Sequence, residues 1–424
     1  MCIRDRFDTL QIHAGSRPDP STGARQVPIY QNTAYVFRSI LHAEALFDLK
    51  ELGHIYSRLS NPTVSVLQER IAALEGGIGA VCTSSGHAAQ ILALFPLMSP
   101  GDNIVASTRL YGGTIQQFTN TIEKFGWTAK FVDIDDIDKL KRSVDEKTRA
   151  IFCESISNPG GHITNLIDVG RLSKSFKIPL IVDNTAASPF LCNPINFGAD
   201  LIVHSTTKYM SGNGTSLGGA VVDSGNFDWS ESGKFKSLSA EEPAYHGIKF
   251  HDTIGPYSFI INSIAVSLRD LGMTMAPQNA FQTLLGLETL SLRMKKHVSN
   301  ARKIANWLEQ HPKIDKVTYA GLKSSKYYDL AKSVLPKGAG ALFTISLKEG
   351  YEACIKMINK LNLFSHVSNL GDTRSLIIHP ASTVHRQLTE QQQINAGLAP
   401  NVIRLSIGIE DPKDLIDDLK QALE

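Results

Sequence analysis

The segment Ala199-Asp200-Leu201-Ile202-Val203-His204-Ser205-Thr206-Thr207-Lys208 decides how this chain is read. A short apolar run, long enough for a buried strand, passes into hydroxyl side chains and then a lysine. Upstream, Pro179-Leu180-Ile181-Val182 ends in Asp183-Asn184-Thr185. Continuous apolar runs of this length suit strands of a parallel sheet buried on both faces. In open α/β sheets, ligands bind beyond the carboxyl ends of the strands. An acid therefore stands at one strand end, and Ser, Thr and Lys at another.

Outward from this pair the pattern repeats. Apolar runs at 103–107, 129–132, 149–153 and 219–222 alternate with helical or turn segments. Such alternation predicts an α/β domain with a mostly parallel sheet and helices on both faces. Asn61-Pro62 opens a helix, since Asn caps well and Pro suits the first turn. Val64, Leu67, Ile71 and Leu74 form its apolar stripe, and Gly76-Gly77 stop it. Residues 7–60 are rich in turn formers, lack a sustained period and read as an arm. After about residue 280 the texture changes. Val298, Ala301, Ile304, Ala305 and Leu308 mark an amphipathic helix, and short strands are expected at 341–346, 376–379 and 402–407. The expected organisation is an arm (1–60), an α/β domain (61–280) and a smaller C-terminal α+β domain (281–424).

Composition narrows the class of function. The 424 residues carry 43 Lys and Arg against 41 Asp and Glu, a net charge of +2, which gives no electrostatic case for nucleic acid. No run of 18 apolar residues suggests a membrane span, and the start has no secretory hydrophobic region. Five scattered cysteines, without a C-x-x-C, read as buried thiols of a reducing, cytoplasmic compartment. Residues 1–6 are out of character with the rest of the chain and are read as foreign to the natural protein, which is expected to begin near Phe7.

The strand-end residues suit pyridoxal 5'-phosphate. Lys208 would form a Schiff base with it, Asp183 would pair with the pyridinium nitrogen, and the hydroxyls would hold the phosphate. A lysine after threonine is ordinarily a solvated one. The glycine-rich segment Ser211–Gly219 behind it, which lets backbone approach a ligand, argues otherwise. Thr83-Ser84-Ser85-Gly86-His87-Ala88-Ala89 opens a predicted helix whose free N–H groups suit a phosphate, or is simply a capped helix start. His87 is read as contributing backbone and packing there rather than a catalytic base. Tyr111, followed by Gly112-Gly113, is either a core residue or a ring stacked on the cofactor. Arg58, beside Tyr56 in the arm, suits bidentate phosphate binding or is a surface residue. Arg404, inside the apolar run Val402–Ser406, needs a buried partner: a substrate carboxylate or a structural acid.

Six motifs in order resemble the fold-type I pyridoxal-phosphate enzymes of cysteine and methionine metabolism, from Phe7 to the C-terminus. They are Tyr56-Ser57-Arg58 with Asn61-Pro62-Thr63, Ser84-Ser85-Gly86, Tyr111-Gly112-Gly113, Glu154-Ser155 with Asn158-Pro159, Asp183-Asn184-Thr185, and His204–Lys208. The resemblance implies a seven-stranded sheet and a cofactor carried on Lys208. It implies ring contacts from Asp183, Asn158 and Tyr111, a phosphate surrounded by Ser85, Gly86, His87, Ser205 and Thr207, and Thr185 as a further cofactor-binding residue. Tyr56 and Arg58 would reach the phosphate of a neighbouring subunit, in a homotetramer built of site-sharing dimers. Asn369 and Arg404 would hold the substrate carboxylate. Gly113, Ser368, Asn369, the segment Gly23–Gln31 and the long insertion around Phe227–Tyr257 resemble the O-acetylhomoserine sulfhydrylase branch. That branch implies a small amino-acid ester and a sulfur donor as substrates, with Lys208, Tyr111 and Asp183 as catalytic groups. A γ- or β-lyase or a cystathionine γ-synthase is the alternative on the same scaffold. Asn213 departs from the His more usual in that loop.

Overall fold

A computed structural model describes residues 6–424. Residues 1–5, which include Cys2 and most of the segment read as foreign, lie outside the described residues. Seven strands form the larger sheet: β1 (Gly79–Thr83), β2 (Asn103–Ser107), β3 (Thr128–Val132), β4 (Thr148–Glu154), β5 (Leu180–Asp183), β6 (Leu201–Ser205) and β7 (Gly219–Asp223). Their order is β1-β7-β6-β5-β4-β2-β3. Only β7 runs against its neighbours; the other pairings are parallel. The parallel strands β2, β4, β5 and β6 are almost wholly buried, as the apolar runs predict.

A second sheet of five strands, β8 (Ile314–Thr318), β9 (Leu342–Leu347), β10 (Ser365–His366), β11 (Leu376–Ile378) and β12 (Val402–Ser406), has the order β10-β11-β12-β9-β8. It is antiparallel except at β10-β11. The amphipathic helix is Leu290–Glu309, with Ala301, Ile304, Ala305 and Leu308 buried and Val298 half-buried.

The arm holds more structure than its sequence suggests. Helix α1 (Phe7–His13) and helix α2 (Ile40–Phe47) are each about two turns long, too short to display a period. Packing fixes α1: Phe7 meets Phe190 edge-on, and the Gln11 side chain exchanges hydrogen bonds with Ser291. Helix α3 (Pro62–Glu75) begins and ends as its caps dictate. The Asn61 side chain accepts the Thr63 N–H, and Gly76 takes the left-handed conformation.

Helix α4 (Gly86–Leu94) leaves the end of β1, capped by Ser85 Oγ on the Ala88 N–H. Its N-terminus lies against the start of β7. A Cβ on Gly219 would stand 2.1 Å from Ser85 O, so only glycine lets the two segments meet. Thus the ends of β4, β5 and β6, the start of β7 and the N-terminus of α4 converge at one side of the sheet.

Candidate active site

That convergence forms a cleft of about 910 Å³, counting space open to solvent. Lys208, Asp183, Tyr111, Asn158, Asn369 and Arg404 line it, as do Ser85, Gly86, His87, Thr185, Ser205 and Thr207. Residues from 85 to 404 in the sequence are therefore brought to one place. Tyr56 and Arg58 are not. Both are exposed, with the Arg58 guanidinium 5.4 Å from the centre of the Tyr56 ring.

Each side chain is held by its element. Asp183 ends β5, where Oδ1 accepts the Thr185 N–H at 2.9 Å and Oδ2 accepts Gln90 Nε2 at 3.4 Å. Gln90 sits one turn into α4 and also donates to Thr114 Oγ1 at 3.0 Å. Thr185 Oγ1 in turn accepts the Ser205 N–H at 2.8 Å, tying the end of β5 to that of β6. The Thr207 hydroxyl accepts the Gly218 N–H at 3.1 Å, anchoring the glycine-rich segment. Tyr111 stacks on His87, with ring centres 5.8 Å apart and planes inclined by 22°. A side chain at Gly113 would collide with both rings, since its Cβ would lie 2.5 Å from Tyr111 and 2.8 Å from His87.

Lys208 Nζ donates to Asn369 Oδ1 at 2.6 Å. Burial, with the Arg404 charge adding to it, lowers its pKa to about 8. Arg404 is 2% exposed on β12. Its Nη1 donates to Asn158 Oδ1 at 3.0 Å and its Nη2 to Asn369 O at 2.5 Å. Among the described residues no carboxylate pairs with it, so the structural acid that the sequence allowed is not there. Burial lowers its pKa to about 10, and Nε has no partner. An uncompensated buried cation lining a cleft is an anion site in waiting.

Two residues of the cleft carry no signal in the sequence that marks their task. Gln90 looks like any helical glutamine until α4 is placed. Glu154 belongs to one of the six motifs, but nothing beside it in the chain says what it holds. It is 5% exposed, and its carboxylate accepts the N–H groups of Tyr111 and Asn158, each at 2.7 Å. The insertion around Phe227–Tyr257 buries Trp229, Phe235, Leu238, Tyr245 and Phe250 and adds none of them to the cleft lining.

The donor set fits pyridoxal 5'-phosphate. A helix N-terminus with neighbouring hydroxyls suits a phosphate, a carboxylate suits a pyridinium, and a buried amine suits an aldehyde. His87 Nε2, buried in the same wall without a partner, leaves a polar group for a ligand to satisfy.

Comparison with known proteins agrees. The profile of the Cys/Met metabolism PLP-dependent enzymes matches residues 8–424. An O-acetyl-L-homoserine sulfhydrylase of Leptospira meyeri is 45% identical, over 98% of this chain and 96% of its own. A second, from Thermus thermophilus, is 46% identical over 99% of this chain and 100% of its own. The crystal structure of a putative O-acetylhomoserine (thiol)-lyase of Campylobacter jejuni, which contains N'-pyridoxyl-lysine-5'-monophosphate, superposes with a TM-score of 0.96. The two are 45% identical and cover 99% of each other. With its matched length, its fold and its strand-end cleft all in agreement, the chain belongs to the Cys/Met metabolism PLP-dependent enzyme family.

Proposed function

We propose that this chain is a pyridoxal-phosphate-dependent O-acetylhomoserine sulfhydrylase. It exchanges the acetoxy group at Cγ of O-acetylhomoserine for sulfide, giving homocysteine and acetate. The full-length likeness to sulfhydrylases at about 45% identity carries the reaction class. The buried, unpaired Arg404 beside Lys208 carries the substrate class, an α-amino acid.

When bound, the cofactor supplies a covalent anchor for the substrate amine and an electron sink. The residues divide the remaining work. Asp183, fixed by Thr185 and Gln90, would hold the pyridine nitrogen. Asn158 would hold the ring hydroxyl and Tyr111 the ring face. The N-terminus of α4, with Ser205 and Thr207, would hold the phosphate. Arg404 and Asn369 orient the substrate carboxylate. Lys208, its amine partly neutral near its lowered pKa, removes one proton from Cα and one from Cβ so that acetate can leave Cγ, and returns one to each carbon after sulfide has added at Cγ.

The ester is acetyl. Lys208 and Arg404 are the Lys and Arg side chains of the cleft among the described residues, and both have tasks. His87 is held neutral by burial. Within one chain, among the described residues, no further cation lines the cleft, and the Arg58 that a neighbouring subunit would bring is assigned to the phosphate, so none is left for the distal carboxylate of a succinyl ester. Glu154 and Asp183, the acids of the cleft, are engaged by hydrogen bonds, which disfavours a substrate with a distal ammonium.

The site is shared between subunits of a homo-oligomer, a tetramer of paired dimers. Tyr56 and Arg58 project from an arm whose Val36, Ile40, Leu41 and Leu52 are also exposed, which is the composition of a buried interface. Among the described residues no helix is long and apolar enough to cross a membrane, and we place the enzyme in the cytoplasm.

The deciding assay supplies purified holoenzyme with O-acetylhomoserine or O-succinylhomoserine, with and without sulfide. Homocysteine from the acetyl ester supports the proposal. A 2-oxoacid and ammonia formed regardless of sulfide would instead mark a lyase.

A further inference from the structure

We propose that Glu154 is a positioning residue, which locks Tyr111 and the Arg404 side of the cleft into one geometry through two backbone hydrogen bonds. The proposal rests on the activity assigned above and adds a residue to its machinery.

Glu154 ends β4, and in register beside it stands Asp183 at the end of β5. Its Oε1 accepts the Tyr111 N–H, and its Oε2 accepts the Asn158 N–H. Both donors lie in loops. Tyr111 is the N-cap of the short helix Gly112–Gln116, so no helical or strand bond engages its N–H. Asn158 follows β4 in the turn before Pro159. One carboxylate therefore fixes the two flanks of the cleft relative to each other.

The contact continues. Asn158 Oδ1 accepts Arg404 Nη1, Arg404 Nη2 reaches Asn369 O, and Asn369 Oδ1 accepts Lys208 Nζ. Tyr111, the substrate-binding arginine and the lysine are thus connected through Glu154. A displacement of about 1 Å at reacting groups is enough to cost roughly a hundredfold in rate.

The chemistry calls for a carboxylate. Two N–H donors converge on two oxygens, and an ionised acid is acceptor on both. A glutamine of the same shape would turn its NH₂ toward one of the N–H groups. Burial and the neighbouring Asp183 push the Glu154 pKa well above its ordinary value, and the two N–H bonds oppose that push. A buried acid beside another acid is costly to keep, and core packing alone gives no reason for it.

The test uses Glu154→Gln and Glu154→Asp, studied as apoprotein and as holoenzyme. The far-UV spectrum and unfolding midpoint report the fold. The visible circular dichroism of bound pyridoxal phosphate reports the ring environment set by Tyr111. Glu154→Gln should keep the fold and lose most of that visible signal. It should bind pyridoxal phosphate about tenfold more weakly and fall roughly a hundredfold in kcat/KM. Glu154→Asp, which can still reach one donor, should recover part of the visible signal and of kcat/KM. A Glu154→Gln protein with a lower unfolding midpoint, but visible signal, affinity and kcat/KM within about twofold of the parent, would reduce Glu154 to a structural acid. If the Gln variant does not fold, the Asp variant decides by the same criteria. A parent protein that made no homocysteine would sink the activity and leave the spectral and affinity arms to judge Glu154.

Discussion

At the scale of residues, Lys208 and Arg404 make the sharpest predictions. Lys208→Ala should abolish turnover and the borohydride-sensitive yellow colour; turnover by that variant would remove Lys208 from its role. In the apoprotein the Lys208 amine has its pKa lowered from 10.5 to about 8, while the unfolded chain keeps the ordinary value. Between those limits the unfolded state binds more protons, so the lysine's destabilising effect is complete below about pH 8 and gone above about 10.5. Lys208→Met apoprotein should therefore gain stability over the parent at neutral pH, with the gain fading across that window in urea melts. A gain independent of pH would show that Lys208 is solvated. Arg404→Ala should retain bound cofactor yet lose roughly a hundredfold in kcat/KM, with Arg404→Lys recovering only part. Loss of the fold, with kcat/KM of the folded fraction unchanged, would make the arginine structural. These residues are legible in the sequence because their oddity is local: a cation within an apolar strand, a lysine after a hydroxyl run. Glu154 and Gln90 are not, because Tyr111 lies 43 residues from the one and Asp183 93 residues from the other, and only the closed sheet introduces them.

At the scale of elements, legibility depends on length and burial. The parallel strands announce themselves as apolar runs since both faces are covered. Strand β1, built of Gly79-Ala80-Val81-Cys82-Thr83, is small-residued and reads in the sequence only as the approach to the phosphate segment. Helices α1 and α2 are too short for periodicity, and β10 has two residues. The close approach of α4 to β7 at Gly219 supplies a test. Gly219→Ala would drive a methyl into Ser85 O and Thr83 Oγ1. Overpacking of this kind costs about 1–3 kcal/mol. It should also move the α4 N-terminus, so cofactor affinity should drop beyond what lost stability explains. Urea unfolding with cofactor titration would separate the two, and unchanged affinity would remove that N-terminus from the phosphate site.

For the whole molecule, the arm is the part a single chain leaves unexplained. Mixing inactive Arg58→Ala with inactive Lys208→Ala subunits should restore activity if sites are shared, because a hybrid dimer assembles one intact site. Arg58→Ala alone should weaken cofactor binding by about 1.5–3 kcal/mol, the worth of a charge-assisted bond. A fully active monomer would overturn the arrangement. A last consequence lies in the sulfur this protein does not use. Cys82, Cys153, Cys192 and Cys354 are free and buried, and burial lifts all four thiols above their ordinary pKa. Thiolates, not thiols, attack disulfides and take up sulfane sulfur. A catalyst working amid sulfide and its oxidation products thus keeps these four thiols, among the described residues, poorly reactive toward the sulfane sulfur around it. An aromatic disulfide reagent should leave these four unmodified in the native protein and reach them only after unfolding.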